Sequence, residues 1–455
     1  MSEYQSYTAC ASLWNKSFPS HWSVLPMYAL AKEKSICGCV DLPLLSVYLD
    51  VGVIPFSAKA EKRTNVTSKD LSKYQRVDCG DFVLNNQQAW RGSVGISFDT
   101  GIVSPAYIVL SMNDMLNSRY ANYLLRSRIM VDQYLINSKS VGSIQRNIYW
   151  PALKRTSVPV PPREEQDQIV RFLDWKVSNI NKLIRIRKRQ IEELEAIKRS
   201  SIGYLVMGQA QSIPQRDTEV NWVKTIPAHW NEKTLIQVAE EQQIKNAGMV
   251  EDNLLSLSYG KIINKDINTT DGLLPSSFEG YQIVHDGNII LRLTDLQNDH
   301  KSLRTGLVTQ TGIITSAYTC LKVRHNILPE YLQLQLHVAD LCKVFYGMGG
   351  GVRQSIGFTE IRKLVIAIPP VEEQQYILDR VHGIEKPINC AIQNIRDIIA
   401  GLEDLKTRLI SDAVTGKIDV RGIEIPEYEF VDEDTDADNE DDGEEDTEEQ
   451  EGAEE

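Results

Sequence analysis

From Ile377 onward the apolar residues fall at alternating steps of four and three: Ile377, Val381, Ile384, Ile388, Ala391, Ile395, Ile398, Leu402, Leu405 and Leu409. Such spacing keeps one stripe on a helix and predicts a coiled-coil seam. Val177, Ile180, Ile184, Arg187, Ile191 and Leu194 repeat it earlier in the chain, loosened by Arg187. The natural partner for each seam is the other. Each stretch follows a similar phrase, VPPREEQDQIV at Val160–Val170 and IPPVEEQQYIL at Ile368–Leu378. The prolines suppress helix before them, and Glu164, Glu165, Glu372 and Glu373 fall in the first turn, where negative charge complements the helix dipole. A helix of some forty-four residues, at ~1.5 Å per residue, would span ~66 Å, long enough to hold two domains well apart. Pro387 predicts a kink or a break near Glu385–Ile388.

Outside these stretches the pattern changes to short β-rich runs broken by Gly, Asn and Pro. DFVL, VGISF and AYIVL precede an amphipathic stretch, RYANYLLRSRIMVDQYL; later NIILRL, GLVTQ and AYTCLKV precede PEYLQLQLHVADLCKVF. The chain is therefore written twice. WNKSFPSHW (Trp14–Trp22) recurs as WVKTIPAHW (Trp222–Trp230) at an offset of 208, CGDFVL (Cys79–Leu84) as DGNIIL (Asp286–Leu291) at 207, and GIVSPAYIVL (Gly101–Leu110) as GIITSAYTCL (Gly312–Leu321) at 211. The offset returns to 208 at the helices, and Gly208 answers Gly416. The predicted fold class is α+β: two homologous α/β domains, each followed by a long α-helix. The boundaries are a first domain over 1–160, its helix over 161–208, a linker over 209–221, a second domain over 222–368, its helix over 369–415, a closing segment over 416–426, and a disordered acidic tail over 427–455.

Charge changes this picture only at the end of the chain. Residues 427–455 hold eighteen Asp or Glu and no Lys or Arg; with these set aside, the net charge of -13 becomes +5 for residues 1–426. The body is mildly basic, and the tail has the composition of a disordered segment. A solubility role is the simple reading of that tail; competition with DNA for the basic face is the sharper one. The first residues show no basic start followed by an apolar run, and no apolar stretch reaches the ~18 residues needed to span a bilayer. A cytoplasmic location without membrane partners is expected. Seven cysteines, of which only Cys37 and Cys39 lie close together, match neither a disulfide framework nor paired zinc ligands. No metal site is expected.

The motifs of catalysis are missing from the sequence: there is no GxxxxGK[ST], HExxH or GxSxG. His21 and His229, each between Trp and Pro in the duplicated phrase, are expected to be structural. The polar loops after the matching strands suggest base reading. The first offers Asn85, Asn86, Gln87, Gln88, Trp90 and Arg91; the second offers Arg292, Gln297, Asn298, Lys301 and Arg304. Asn and Gln bind adenine bidentately in the major groove, and Arg and Lys bind guanine. The loops diverge while the flanking strands match, as readers of two different sequences should. Lys59, Lys62, Arg63, Lys261 and Lys265 are candidates for phosphate contact. GMGGGVRQS (Gly347–Ser355) adds Gly350, Gly351, Arg353 and Gln354, where missing side chains allow a phosphate to approach.

GIVSPAY, VPVPPREEQDQIV with its long helix, GMGGGVRQS and the closing SDAVTGKIDVRG together resemble the specificity subunit of type I restriction-modification systems, over residues ~10–426. The resemblance implies two target-recognition domains, each reading half of a split sequence in double-stranded DNA, with the two helices packed as an antiparallel coiled coil between them. It implies docking of two methyltransferase subunits, then of translocase-nuclease subunits. The chain itself would be non-catalytic and without a cofactor; S-adenosylmethionine, ATP and Mg²⁺ would belong to the partners. A coiled-coil adaptor for proteins, without sequence-specific DNA binding, is the rival from another class.

Overall fold

The structure, a computed structural model, describes residues 3–9, 17–49, 51–59, 70–141, 145–209, 213–267, 277–296, 299, 302–324, 326–348 and 355–432. The chain forms two compact units. The first joins Met1–Arg189 with Asn394–Asp438, and the described residues of the second lie between Gln190 and Gln393.

In the first unit, strands β1 (Ser23–Pro26), β2 (Ala31–Lys34), β3 (Phe82–Asn85), β4 (Val94–Ile96), β5 (Tyr107–Met112) and β6 (Ser157–Val160) carry the frame. Four of them make an antiparallel sheet in the order β2-β5-β3-β4, while β1 and β6 pair as a separate ribbon with Val160 opposite Ser23. Alternation along β3 sets the two faces of the sheet. Phe82 and Leu84 pack with Tyr120, Leu124, Met130 and Tyr134 of helices α1 (Ser118–Leu125) and α2 (Arg128–Ile136), and Val83 packs with Leu45, Val47 and Val103 on the other face. Each such apolar side chain, fully buried, contributes about 1.5–3 kcal/mol. Asn117 caps α1, its side-chain oxygen accepting from Arg119 N and Tyr120 N. Helix α3 (Arg163–Val206) starts directly after the paired prolines, with Glu164 and Glu165 in its first turn.

The second unit repeats this plan with β7 (Asn231–Thr234), β8 (Ala239–Glu241), β9 (Ile289–Leu291), β10 (Thr305–Leu307), β11 (Thr319–Val323) and β12 (Val365–Ile368). The sheet order is β8-β11-β9-β10, and β7 pairs with β12. Ile289 and Leu291 face helix α4 (Pro329–Leu341) through Tyr331 and Leu332, whereas Ile290 packs with Leu255, Leu257 and Val308. Helix α5 (Val371–Val414) has 44 residues, as α3 has.

Each core also takes in the end of a long helix. Ala413, Val414 and Val420 lie in the core of the first unit beside Phe172 and Leu173, and Ile202, Leu205 and Val206 lie in that of the second beside Ile377, Leu378 and Val381. The helices stop at Gly208 (φ +67°) and Gly416 (φ +73°), in the left-handed conformation that glycine adopts without a Cβ penalty.

Three expectations are corrected. Of the kink or break expected near Pro387, the break is excluded: helix α5 is continuous there. The residue four positions earlier, whose turn must accommodate the proline ring, is Gly383, and one lost hydrogen bond among forty does not end so long a helix. The seam is also not followed to its end: Ile398 and Leu405 are exposed, while Ile392 is buried and Ile399 and Lys406 are half-buried. A straight helix drifts ~20° per heptad against a strict seven-residue repeat, which moves the covered stripe onto neighbouring positions. Finally, Glu427–Asp432 are ordered against α3, with Val431 buried. The rest of the acidic tail lies outside the described residues.

Candidate nucleic-acid interface

The duplicated phrases meet. In the first unit the carboxylate of Glu165, buried at the start of α3, accepts from Tyr4 Oη (2.5 Å) and Trp22 Nε1 (3.0 Å) and pairs with His21 Nε2 (2.7 Å). In the second, Glu373 pairs with His229 Nε2 (2.7 Å) and accepts from Trp230 Nε1 (3.1 Å). The next residue does a matching job. Gln166 Nε2 donates to Pro161 O and Met115 O while its Oε1 accepts from Asn117 N; Gln374 Nε2 donates to Pro369 O and Asn326 O while its Oε1 accepts from Leu328 N. The EEQ phrase thus bolts its helix to the Trp-bearing turn and to the loop that opens α1 or α4. Glu165 raises the pKa of the Tyr4 hydroxyl, after burial as the larger cause. Each histidine thus holds the glutamate that opens a long helix.

Bolted in this way, each sheet presents the loop that follows its β3 or β9 strand. Pairing Leu84 with Val94 leaves residues 85–93 between the first pair of strands, and pairing Leu291 with Thr305 leaves residues 292–304 between the second. The second loop is four residues longer, which is the rise of the repeat offset from 207 to 211. The two halves therefore differ in length at the loops expected to read bases.

The first loop folds as a 3₁₀ turn, Ala89–Arg91. Asn85 Oδ1 accepts from Gln87 N (3.1 Å) and Asn86 Oδ1 from Ile148 N (2.9 Å), so these oxygens shape the loop. Trp90 Nε1 donates to Gln87 O, and the Arg91 guanidinium lies over the Trp90 ring at 4.9 Å. Gln87 and Arg91 are exposed; Gln88 and Trp90 are half-buried. Through Ile148 the loop also holds a hairpin, Ser138–Val141 with Gln145–Ile148, which carries the exposed Lys139 and the half-buried Arg146. Lys139 Nζ sits 3.6 Å from the Tyr149 ring centroid. The sequence reading missed this hairpin; the alternation in KSVGSIQRNIYW was the available signal.

The second loop is built around Arg304, and here a candidate is lost. Arg304 is fully buried. Its guanidinium donates to the carbonyls of Arg292 (3.2 Å), Thr294 (2.8 Å) and Asp299, and to Tyr346 Oη (3.0 Å). A thirteen-residue loop leaves carbonyls that need donors, and Arg304 supplies them from inside; it has no surface to offer a base. Arg292, half-buried, faces the Asp299 carboxylate at 4.0 Å.

A sequence model described as the type I restriction modification DNA specificity domain matches residues 39–196 and 305–399, more than half of the chain. The chain belongs to this family. Among curated relatives, the putative type I restriction enzyme MjaX specificity subunit of Methanocaldococcus jannaschii is 24% identical over 78% of this chain and 82% of its own. The MjaVIII specificity subunit of the same organism is 22% identical over 89% of this chain and 95% of its own. A chain solved under the heading of complex assembly and conformational transition of the type I R-M system shares the fold, with a TM-score of 0.60 at 14% identity, over 88% of this chain and 99% of that one.

The remaining candidates of this DNA specificity subunit divide by position. Lys261, on the strand Lys261–Asn264, and Lys265 just after it are exposed. Lys59 ends a 3₁₀ turn, Phe56–Lys59, and its side chain lies outside the described residues. So do Lys62, Arg63, Gln297, Asn298, Lys301, Gly350, Gly351, Arg353 and Gln354. Among the described residues no group of His, Cys, Asp and Glu could hold a metal ion, and no helix is long and apolar enough to cross a membrane.

Proposed function

We propose that this specificity subunit reads a bipartite target in double-stranded DNA, one half-site per unit, with α3 and α5 packed antiparallel as the spacer. The observation that carries the reading is the pairing of the same Glu–His–Trp joint, Glu165–His21–Trp22 and Glu373–His229–Trp230, with two loops of different length and chemistry. In the first unit the readers are Gln87, Gln88, Trp90 and Arg91; in the second, Arg292 and the residues around it, with Lys261 and Lys265 toward phosphate. Contacts within each unit support the antiparallel register. Lys406 Nζ reaches Asn181 Oδ1 (3.5 Å) in the first, and Lys198 Nζ reaches Asn389 Oδ1 (3.1 Å) in the second. From one contact to the other, α3 advances seventeen residues and α5 retreats seventeen.

Two methyltransferase subunits would dock on the spacer and be joined by translocase-nuclease subunits; S-adenosylmethionine, ATP and Mg²⁺ would act there, since this chain's part is recognition. Co-expression with its methyltransferase partner followed by methylome sequencing tests the reading. Methylation at one split motif is expected, and exchange of residues 14–159 for those of another family member should change one half of it. No new motif would favour the protein-adaptor reading, and a change in both halves would contradict independent reading.

A further inference from the structure

A two-stranded hairpin stands beside the reading loop in each unit. In the first it is Leu45–Tyr48 with Gly52–Pro55, and in the second Leu255–Ser258 with Lys261–Asn264. The contact joins the hairpin tip to the residue two places before the returning strand, β4 or β10. A Cβ on Gly92 would lie 3.6 Å from Leu49 Cδ1 in the first unit; a Cβ on Gly260 would lie 3.2 Å from Leu303 Cβ in the second. Leucine and glycine have exchanged places, and the juxtaposition of tip and loop is the same.

The tip of the second hairpin carries an aromatic ring in an unfavourable place. Ser258 pairs with Lys261, which leaves a two-residue turn of Tyr259 (φ +46°) and Gly260 (φ +75°). Two consecutive positive φ values belong to a type I′ turn, whose first position favours Asn, Asp or Gly. Tyrosine there works against its own Cβ. No burial offsets that strain, since Tyr259 is 70% exposed. Leu49, at the tip of the first hairpin, is 56% exposed, so both tips hold an apolar side chain out to solvent. Along the second hairpin Leu257 and Ile262 pack inward, while Lys261 and Ile263 are exposed on the other face. Such a ribbon, with its strands ~4.8 Å apart, fits a major groove ~12 Å wide.

We propose that the hairpin tip of the second unit enters the major groove of the second half-site, with Tyr259 against base edges and Lys261 toward the backbone. A strained, uncovered aromatic, fixed through Gly260 to the end of the reading loop at Leu303, carries the inference. It rests on the specificity-subunit reading and adds to it a base contact from outside the two polar loops. The ring offers an apolar edge to a thymine methyl, and the hydroxyl both donates and accepts, so Tyr259 discriminates between bases besides adding affinity.

Turn geometry and DNA contact make opposite demands on residue 259, and the test uses that opposition. Tyr259→Asn supplies a residue that the turn favours, so the second unit should melt no earlier than in the parent protein. In complex with its methyltransferase partner, the variant should nevertheless bind the duplex defined by the parent's methylome about tenfold more weakly, the scale of one good base contact. One position in the second half of the motif should become degenerate while the first half is still read. Tyr259→p-benzoylphenylalanine should photocrosslink to the second half-site of the same duplex. Unchanged affinity and motif in Tyr259→Asn would overturn the proposal, as would a crosslink that is absent or falls outside the second half-site. Loss of affinity together with stability would make Tyr259 a structural residue and overturn it too. In each of these cases the parent's split motif stands; a parent complex that methylates no split motif would overturn the specificity reading, and this contact with it.

Discussion

The turn before β3 and the turn before β9 have the same shape and are held by different chemistry. Asp81 Oδ2 accepts from Asp78 N (2.8 Å), and Asn288 Oδ1 accepts from His285 N (2.8 Å); Gly80 (φ +94°) and Gly287 (φ +82°) sit at the same place in each. In the first unit Lys34 closes the turn with ion pairs to Asp78 (2.6 Å) and Asp81; in the second, Gln242 Nε2 closes it with a hydrogen bond to Asn288 Oδ1 (3.2 Å). The helix joints behave otherwise, keeping Glu, His and Trp in both units. Contacts within a recognition unit have thus been free to change chemistry while geometry held, whereas contacts that attach a unit to its helix have kept both. That division suits a molecule whose halves do one mechanical job with two surfaces.

The largest effects should come from the joints. A Cβ on Gly416 would lie 2.5 Å from Pro19 Cδ, and one on Gly208 would lie 2.4 Å from Pro227 Cδ, each at positive φ. Gly416→Ala and Gly208→Ala should each cost about 3 kcal/mol, from overpacking and left-handed strain together. Hydrogen exchange should localise the loss to the first unit for Gly416→Ala and to the second for Gly208→Ala; a loss spread over both units in either variant would undo the equivalence of the joints.

Arg304→Met comes next, at about 3 kcal/mol, because it leaves buried carbonyls of the long loop without donors. The second half-site should be lost from the methylome while the first is still read. Glu165→Ala should cost about 3 kcal/mol and Glu373→Ala about 2, since the Glu165 side chain is 4% exposed and has three partners, whereas that of Glu373 is 17% exposed and has two among the described residues. Equal melting shifts would show that burial is not what separates the joints.

The smallest effect is the pH response of the turns. The hydrogen bond from Lys34, set against partial burial and aided by Arg76, holds Asp78 below the usual carboxylate range. Stability from this source is present above about pH 4 and is lost as pH falls through the lowered value. Burial opposes the charge on Lys34, but its hydrogen bonds to Asp78 and Asp81 outweigh that and raise it, so its share is lost only above about pH 10.5. With Asp78 more than a third exposed, the acid effect should stay below about 1 kcal/mol. Lys34→Gln with Asp81→Asn, which puts the second unit's Gln242–Asn288 pair into the first, should shrink the difference in acid sensitivity between units measured by hydrogen exchange, leaving the share that Arg76 holds on Asp78.

Much of this was legible in the sequence because it depends on residues with few substitutes. Trp, Pro and Gly at the joints kept their spacing, and the shift of offset from 207 to 211 already pointed to the divergent loop. Less legible was anything decided by the inside of a loop. Arg304 has the residue type of a base reader, and only the path of residues 292–304 turns it inward. Heptad spacing marked the seam but not the drift that leaves Ile398 and Leu405 exposed. At 427–432 the flanking carboxylates masked Phe430, which stacks 5.8 Å from the Arg119 guanidinium, and Val431, which is buried. Composition averages over such anchors.

Gly208 and Gly416 each rest against a Pro–Trp turn, yet only one of the two contacts is backed by nearby chain: residues 209–221 lead from Gly208 to its turn, while Gly416 and Pro19 are 397 positions apart. Sequence order is therefore incidental to the architecture at these points. A permuted gene, opened between residues 209 and 221 and sealed by a linker from the segment after Asp432 back to Tyr4, would spell the same set of contacts in a different order.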